Sequence, residues 1–136
     1  MSRQLDAAIA EALGHEVKWE FAEKKSYTGH KSDLSKVYKK KVGSGWFDVP
    51  YYSADGHDML ELDREMRERG WNYINTHYSN IGDRSKFYTE MRICDPTCPD
   101  QNWYKKTGLI CADTEPLARA LAAYKALTGR EWKEHD

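Results

Sequence analysis

The sequence predicts an α+β domain built around an antiparallel sheet, and three observations carry that reading. Two segments, one closing at Gly70 and one over about 115–128, place apolar residues at helical spacing between a polar cap and a glycine stop. Three later segments, 72–78, 85–94 and 104–112, have strand composition. The connections SNIGDR and DPTCPDQNW are short and rich in Asn, Gly, Asp and Pro, so antiparallel hairpins are the natural pairing. The order helix, strand, loop, helix, three strands, helix separates helices from sheet, as α+β domains do. The expected architecture is one sheet of about four strands. The two longer helices would cover one face and the short N-terminal helix part of the other, an α/β/α sandwich-like arrangement.

Residues 3–13 read as the short first helix, with Leu5, Ile9, Ala12 and Leu13 on one face. Ser2 can cap its start, and Gly14 suits a left-handed stop. Val17, Trp19 and Phe21 then alternate with Lys18 and Glu20, the period of a half-buried strand. Residues 22–45 carry few large apolar side chains, and the window Lys24–Lys41 holds seven Lys against one Asp. That window reads as a long, mobile, basic loop inserted in a single domain spanning 1–136, with a strand-like piece around Val37 and Tyr38. Trp46, Phe47 and Val49 return the chain to the core.

The central helix starts at a cap supplied by Asp55 or Ser53 and carries the stripe Met59, Leu62 and Met66, with Leu60 at its edge. Charged residues, Asp63 among them, are expected on its wet sides. Gly70 stands where a left-handed residue belongs, so Trp71 can fold back onto Met66. In the first hairpin, a six-residue turn would set Tyr73 opposite Glu90, Asn75 opposite Tyr88 and His77 opposite Lys86. The last helix is capped by Thr114 or Asp113, has Pro116 in its first turn, and ends at Gly129. Leu117, Leu121, Tyr124 and Leu127 form its expected core stripe, with alanines on the flanks.

Bulk composition excludes several classes. At 136 residues the chain fits one domain, burying roughly 65–70% of its unfolded surface. Lys and Arg number 21 against 22 Asp and Glu, so bulk charge does not make it a polyanion binder. No apolar run is long enough to span a bilayer, and the first residues lack a signal pattern. A cytoplasmic location without membrane partners is expected. Three cysteines, an odd number, suggest reduced thiols in place of a disulfide framework.

Four constellations are candidates for function. The first is the basic stretch Lys24, Lys25, Lys31, Lys36, Lys39, Lys40 and Lys41 with Tyr38 interleaved, which could grip phosphates or stack on bases. A solvated charge run explains the same residues. The second is the polar sheet face bearing Tyr73, His77, Tyr88 and Arg92, whose aromatic and Arg types are those of interface anchors. An ordinary wet sheet face is the plainer reading. Such a face would also suit a homodimer.

The third is zinc, from Cys94, Cys98, Cys111 and His77. The C-x3-C spacing followed by twelve residues fits no knuckle, and the ladder would hold Cys111 far from Cys94. The fourth is His57 beside Asp55 and Asp58, with no nucleophile placed near it and no G-x-S-x-G, H-E-x-x-H or P-loop anywhere. No cofactor, metal or catalytic residue is expected.

The run PYYSADGHDMLELDREMRERGW, followed after two hairpins by ADTEPLARALAAYKALTGREW and preceded by DAAIAEALG, resembles the phage ABA sandwich domain. The likeness spans most of the chain and lies in helix starts and stops. It implies an α/β/α layered fold and a phage or prophage source, and it names no chemistry. The Lys-rich segment 22–45 and the DPTCPDQNW connection are elaborations on the leaner pattern. The resemblance implies a non-enzymatic phage accessory protein in the infected bacterial cytosol. It would bind a host or phage macromolecule, a protein first, and interference with host defence is one role this admits. The alternative is a nucleotide or nucleic-acid binding module using the basic 24–41 loop.

Overall fold

The computed structural model describes residues 3–24, 33–81, 84–94 and 103–133, with the side chains of 22–24, 33–35, 81, 84–85, 94 and 103–105 outside that description. The chain runs α1 (Arg3–Ala12), β1 (Val17–Lys24), β2 (Asp33–Val42), β3 (Gly45–Asp48), α2 (Gly56–Glu68), β4 (Tyr73–Ile81), β5 (Arg84–Cys94), β6 (Trp103–Lys106), β7 (Ile110–Ala112) and α3 (Glu115–Thr128). It is an α+β fold with antiparallel pairing throughout the described ladders. Two sheets replace the single one expected. One has the order β1-β2-β3, and the other the order β4-β5-β6 with β7 also paired to β5.

The extra sheet arises because residues 33–42 of the basic stretch form a strand. Residues 33–42, expected within a loop, pair with β1 along its whole length, from Val17 opposite Lys40 to Lys24 opposite Asp33. The tight Gly43–Ser44 turn, with Gly43 at φ 63°, then returns β3 against Lys39–Val42. The periodic signal was hidden because lysines stand on both faces of β2. Their long aliphatic stems tolerate a pleated, half-exposed surface while the ammonium groups reach water. Lys25 and Lys31 lie outside the described residues, and Lys24 is placed only as the last backbone position of β1.

In the second sheet Tyr73 stands opposite Arg92, Asn75 opposite Glu90 and His77 opposite Tyr88. The expected register was two residues off, because Ser79–Ile81 and Arg84 belong to the ladder and not to the turn. A slip of two keeps every side chain on its face, so the division into a core face and a polar face survives the correction. The segment read as one strand over 104–112 is broken at Thr107–Leu109. Buried Thr107 spans the break: its N–H donates to the Met91 carbonyl, and its hydroxyl accepts from Met91 N–H and donates to Gly108 O. A side chain thus stands in for the missing ladder partner, and Gly108, at φ 74°, lets the chain turn there.

Helix α3 is the centre of the molecule. It packs on β5, β7 and β4 from one side and on α1 and α2 from the other, and α1 carries on to β1 and β2. The helices therefore do not lie side by side on one sheet face; α1 and α3 link the two sheets. This explains a second departure from expectation. Ala118, Ala120, Ala122 and Ala123 are the fully buried residues of α3, while Leu117, Leu121, Tyr124 and Leu127 are half-buried at the core's margin. A helix approached from several sides needs small side chains where its neighbours come closest, since interaxial distance follows side-chain size. Around it Leu5, Ile9, Ala10, Val49, Tyr52, Leu62, Met66 and Met91 are completely buried.

Helix ends follow the sequence closely. Asp55 accepts from the N–H groups of His57 and Asp58, and Thr114 accepts from Leu117 N–H. At the other ends, His15 N–H reaches Ala10 O while Gly14 N–H reaches Glu11 O, and Trp71 N–H reaches Met66 O while Gly70 N–H reaches Arg67 O. Both are Schellman closures on a left-handed glycine. Trp71 is then buried in one cluster with Met66.

Two carboxylates are buried within the helices. Asp63, expected on a wet side, is buried and ion-paired with Arg119, which also bonds Thr76 and Glu115. Asp6 is fully buried in the first helix and accepts from Ser53 N–H at 2.9 Å and from Arg3 at 2.7 Å. Arg3 continues to the carbonyls of Val49 and Pro50 and lies 3.8 Å above the Tyr51 ring. This cluster fastens α1 to the segment that opens α2.

Gly70 sits at φ 95°, and a methyl group on its Cα would meet nothing within 4 Å, so Gly70→Ala should cost only its backbone strain. Urea denaturation should show a loss of about 1 kcal/mol with an unchanged m-value. Burial raises the Asp6 carboxyl above its ordinary value of 3.8, against the lowering pull of Ser53 and Arg3. The stability linked to that raised value is complete below the ordinary value and is lost as pH rises through the folded one. Asp6→Asn, which keeps an acceptor for Ser53, should therefore gain on the native chain in denaturation midpoint as pH is raised above the ordinary carboxyl value.

Candidate binding surface

The β1–β2 register sorts side chains with period two. Val17, Trp19, Phe21, Lys36, Tyr38, Lys40, Val42 and Phe47 share one face; Lys18, Glu20, Val37, Lys39, Lys41, Trp46 and Asp48 share the other. At its middle the first face is rooted in the core. Val17 and Tyr38 pack against the buried cluster, and Val49, whose N–H donates to Tyr38 O, is completely buried. Beyond that root the face is open: Trp19 is 52% exposed and Phe21 63% exposed. Their rings meet edge to face, with centroids 5.3 Å apart and planes at 83°. Lys36 Nζ lies 4.2 Å from the Trp19 ring and 5.3 Å from the Tyr38 ring.

The same alternation divides the lysines. On the second face Lys39 pairs with Glu20 at 3.3 Å, Lys41 pairs with Glu16 at 3.8 Å, and Lys18 lies 4.3 Å over the Trp46 ring. Lys18 and Lys39 stand directly opposite each other, an unfavourable pair that Glu20 and Trp46 relieve. Lys36 and Lys40 are on the aromatic face, where no described carboxylate pairs with either. The described lysines of this stretch therefore divide between two faces and do not form one basic patch.

The polar face of the second sheet gathers Tyr73, His77, Tyr88 and Arg92 as the sequence suggested, though its members engage one another. Arg92 lies 4.9 Å over the Tyr73 ring and forms an ion pair with Glu90. His77 and Tyr88 stack with centroids 5.5 Å apart and planes at 15°. Exposed Cys111 follows in the same row, opposite Tyr88. Cys94 is six residues further along β5, on the order of 20 Å away at strand rise. Cys98 lies outside the described residues, and among those described no three His, Cys, Asp or Glu side chains gather as a metal site. His57 is exposed in the first turn of α2, where its N–H serves the Asp55 cap.

The concave surface beside α2 is lined by Arg64, Arg67 and Arg119, and these already hold Glu61, the Asn72 carbonyl and Asp63. A cleft of about 210 Å³ runs between α1 and the aromatic face, walled by Ala7 and Ala8 on one side and Trp19 and Tyr38 on the other. Gln4, Glu11 and Lys18 also line it. Sequence reasoning placed Trp19 and Phe21 in a half-buried strand and missed their exposure. The available signal was that β1 continues past Val17 with two more large rings opposite a stretch poor in apolar partners.

Comparison with protein-family models, curated proteins and solved structures finds no match for this chain. The resemblance to the phage ABA sandwich domain rests on the helix caps and apolar stripes alone. No described helix is long and apolar enough to cross a membrane.

Exposure and burial on one face predict a separation of roles. Phe21→Ser should change unfolding free energy by less than about 0.5 kcal/mol, as exposed sites do. Tyr38→Ser should cost on the order of 2 kcal/mol, because it removes core contact. Denaturant titration of the two variants distinguishes them.

Proposed function

We propose that this chain is a non-enzymatic binding protein whose working surface is the aromatic face of the β1–β3 sheet. The observation that carries the reading is the pair Trp19 and Phe21, adjacent, more than half exposed, and built on a strand whose root is fixed in the core. Contiguous exposed apolar surface marks interaction sites, and aromatic rings on rigid elements are the residue type that anchors them. The polar face of the second sheet is the weaker candidate, since its rings and charges are already engaged with each other.

The partner on this reading is a macromolecule, because the surface is open and extended. The phage likeness makes it a host or phage component met in the bacterial cytoplasm, with interference in host defence as one consequence of binding. A photoreactive diazirine residue at Phe21, and separately at His77, tests the surface. Irradiation in bacterial lysate should give a discrete adduct from Phe21 that Trp19→Ala weakens, and none from His77. Adducts from His77 with none from Phe21 would refute the assignment.

A further inference from the structure

Resting on that reading of the surface, the geometry points to single-stranded nucleic acid as the ligand of the β1–β3 face. Charge favours this ligand first. Two described carboxylates lie beside the lysines of β2, Glu20 on β1 and Glu16 just before it, and both serve the opposite face, through Lys39–Glu20 and Lys41–Glu16. The aromatic face keeps Lys36 and Lys40 without an acidic partner among the described residues. A surface of rings edged by unneutralised cations complements bases linked by phosphates. It complements an acidic or mixed protein surface less well, because two lysines do not define a charge pattern.

Ring geometry favours it independently. Trp19 and Phe21 lie two residues apart on one strand and their planes are nearly perpendicular. They cannot both face the parallel, stacked bases of a duplex. A single strand can splay successive bases onto differently oriented rings, which is how sheet surfaces receive unpaired nucleotides. Lys36 and Lys40 are four positions apart on β2, on the order of 13 Å, and so bracket the Trp19–Tyr38 row. Beside that row the α1 cleft, with one aromatic wall and one alanine wall, has room for a further planar ring, and Gln4 and Glu11 line it as hydrogen-bonding groups.

Fluorescence anisotropy with labelled oligo-dT and oligo-rU, run on the full chain at low salt, tests the inference. Binding of single strands, with duplex DNA of equal length clearly weaker, is expected. Trp19→Ala and Phe21→Ala should each weaken binding about 10- to 100-fold, the loss for one base-stacking ring. Lys36→Ala should weaken it by less, and Lys39→Ala, on the other face, should leave it unchanged. With two phosphate contacts, log affinity should fall with log salt at a slope of about −1.4, far shallower than a seven-lysine clamp would give.

No binding by the folded chain overturns the proposal, as does equal sensitivity to Lys39→Ala and Trp19→Ala. If Phe21 crosslinks a protein while oligonucleotides do not bind, the nucleic-acid assignment fails and the surface assignment survives. If neither occurs, both fall. A dimer that dissociates on Phe21→Ala, without oligonucleotide binding, replaces the nucleic acid with a second copy of the chain.

Discussion

Trp19 sits opposite Tyr38, and most of what this protein presents to its surroundings follows from that pairing. Tyr38 packs against the core together with Val17, and buried Val49 bonds its backbone. The phase of β2 is therefore set by what it buries. A slip of one residue would turn Lys39 inward and Tyr38 outward, placing an ammonium group beside Leu and Ala side chains. Burying an unpaired charge costs far more than a surface ladder can return. Two sheet faces of opposite character result, although β2 looks uniformly basic as a string of letters.

The glutamates at the start of the first sheet, Glu16 before β1 and Glu20 within it, complete that division. Glu16 and Glu20 stand where they meet Lys41 and Lys39, and exposed pairs of this kind contribute little stability. Their effect is on the field outside the protein. They pair two of the three described lysines of one face and leave Lys36 and Lys40 on the other without a described carboxylate partner. A chain with 21 basic and 22 acidic residues can in this way hold a local surface suited to an anion without being generally basic.

What could be read from sequence was what depends on neighbours along the chain. The caps at Asp55 and Thr114, the stops at Gly14, Gly70 and Gly129, the apolar stripe of α2 and the two faces of the β4–β5 hairpin are all local rules. What could not be read depends on elements far apart. Four alanines of α3 form its buried side because α1, α2 and the second sheet converge on it, and helical spacing alone favours its leucines. Asp63 is buried because Arg119, on another helix, meets it. β2 was hidden because its partner strand, and not its own pattern, decides which lysines face water. Exposure of Trp19 and Phe21 is the same kind of fact: their alternation announces a strand, and only the reach of α1 decides how far along it the core extends.

That reach also explains why the exposed rings make a better surface than their hydrophobicity alone suggests. α1 is tied by Arg3 and Asp6 to the segment opening α2 and packed on α3, so the root of the first sheet beside it is held in place. Trp19 is held further by the edge contact with Phe21 and by Lys36 above its ring. A ring already confined loses little side-chain freedom when a ligand arrives, and the cost of ordering is much of what weakens binding to flexible surfaces. The basic stretch expected to act as a loose clamp thus contributes more as a strand. Its backbone aligns the rings, and two of its lysines stand beside them with a cationic charge that no described carboxylate cancels.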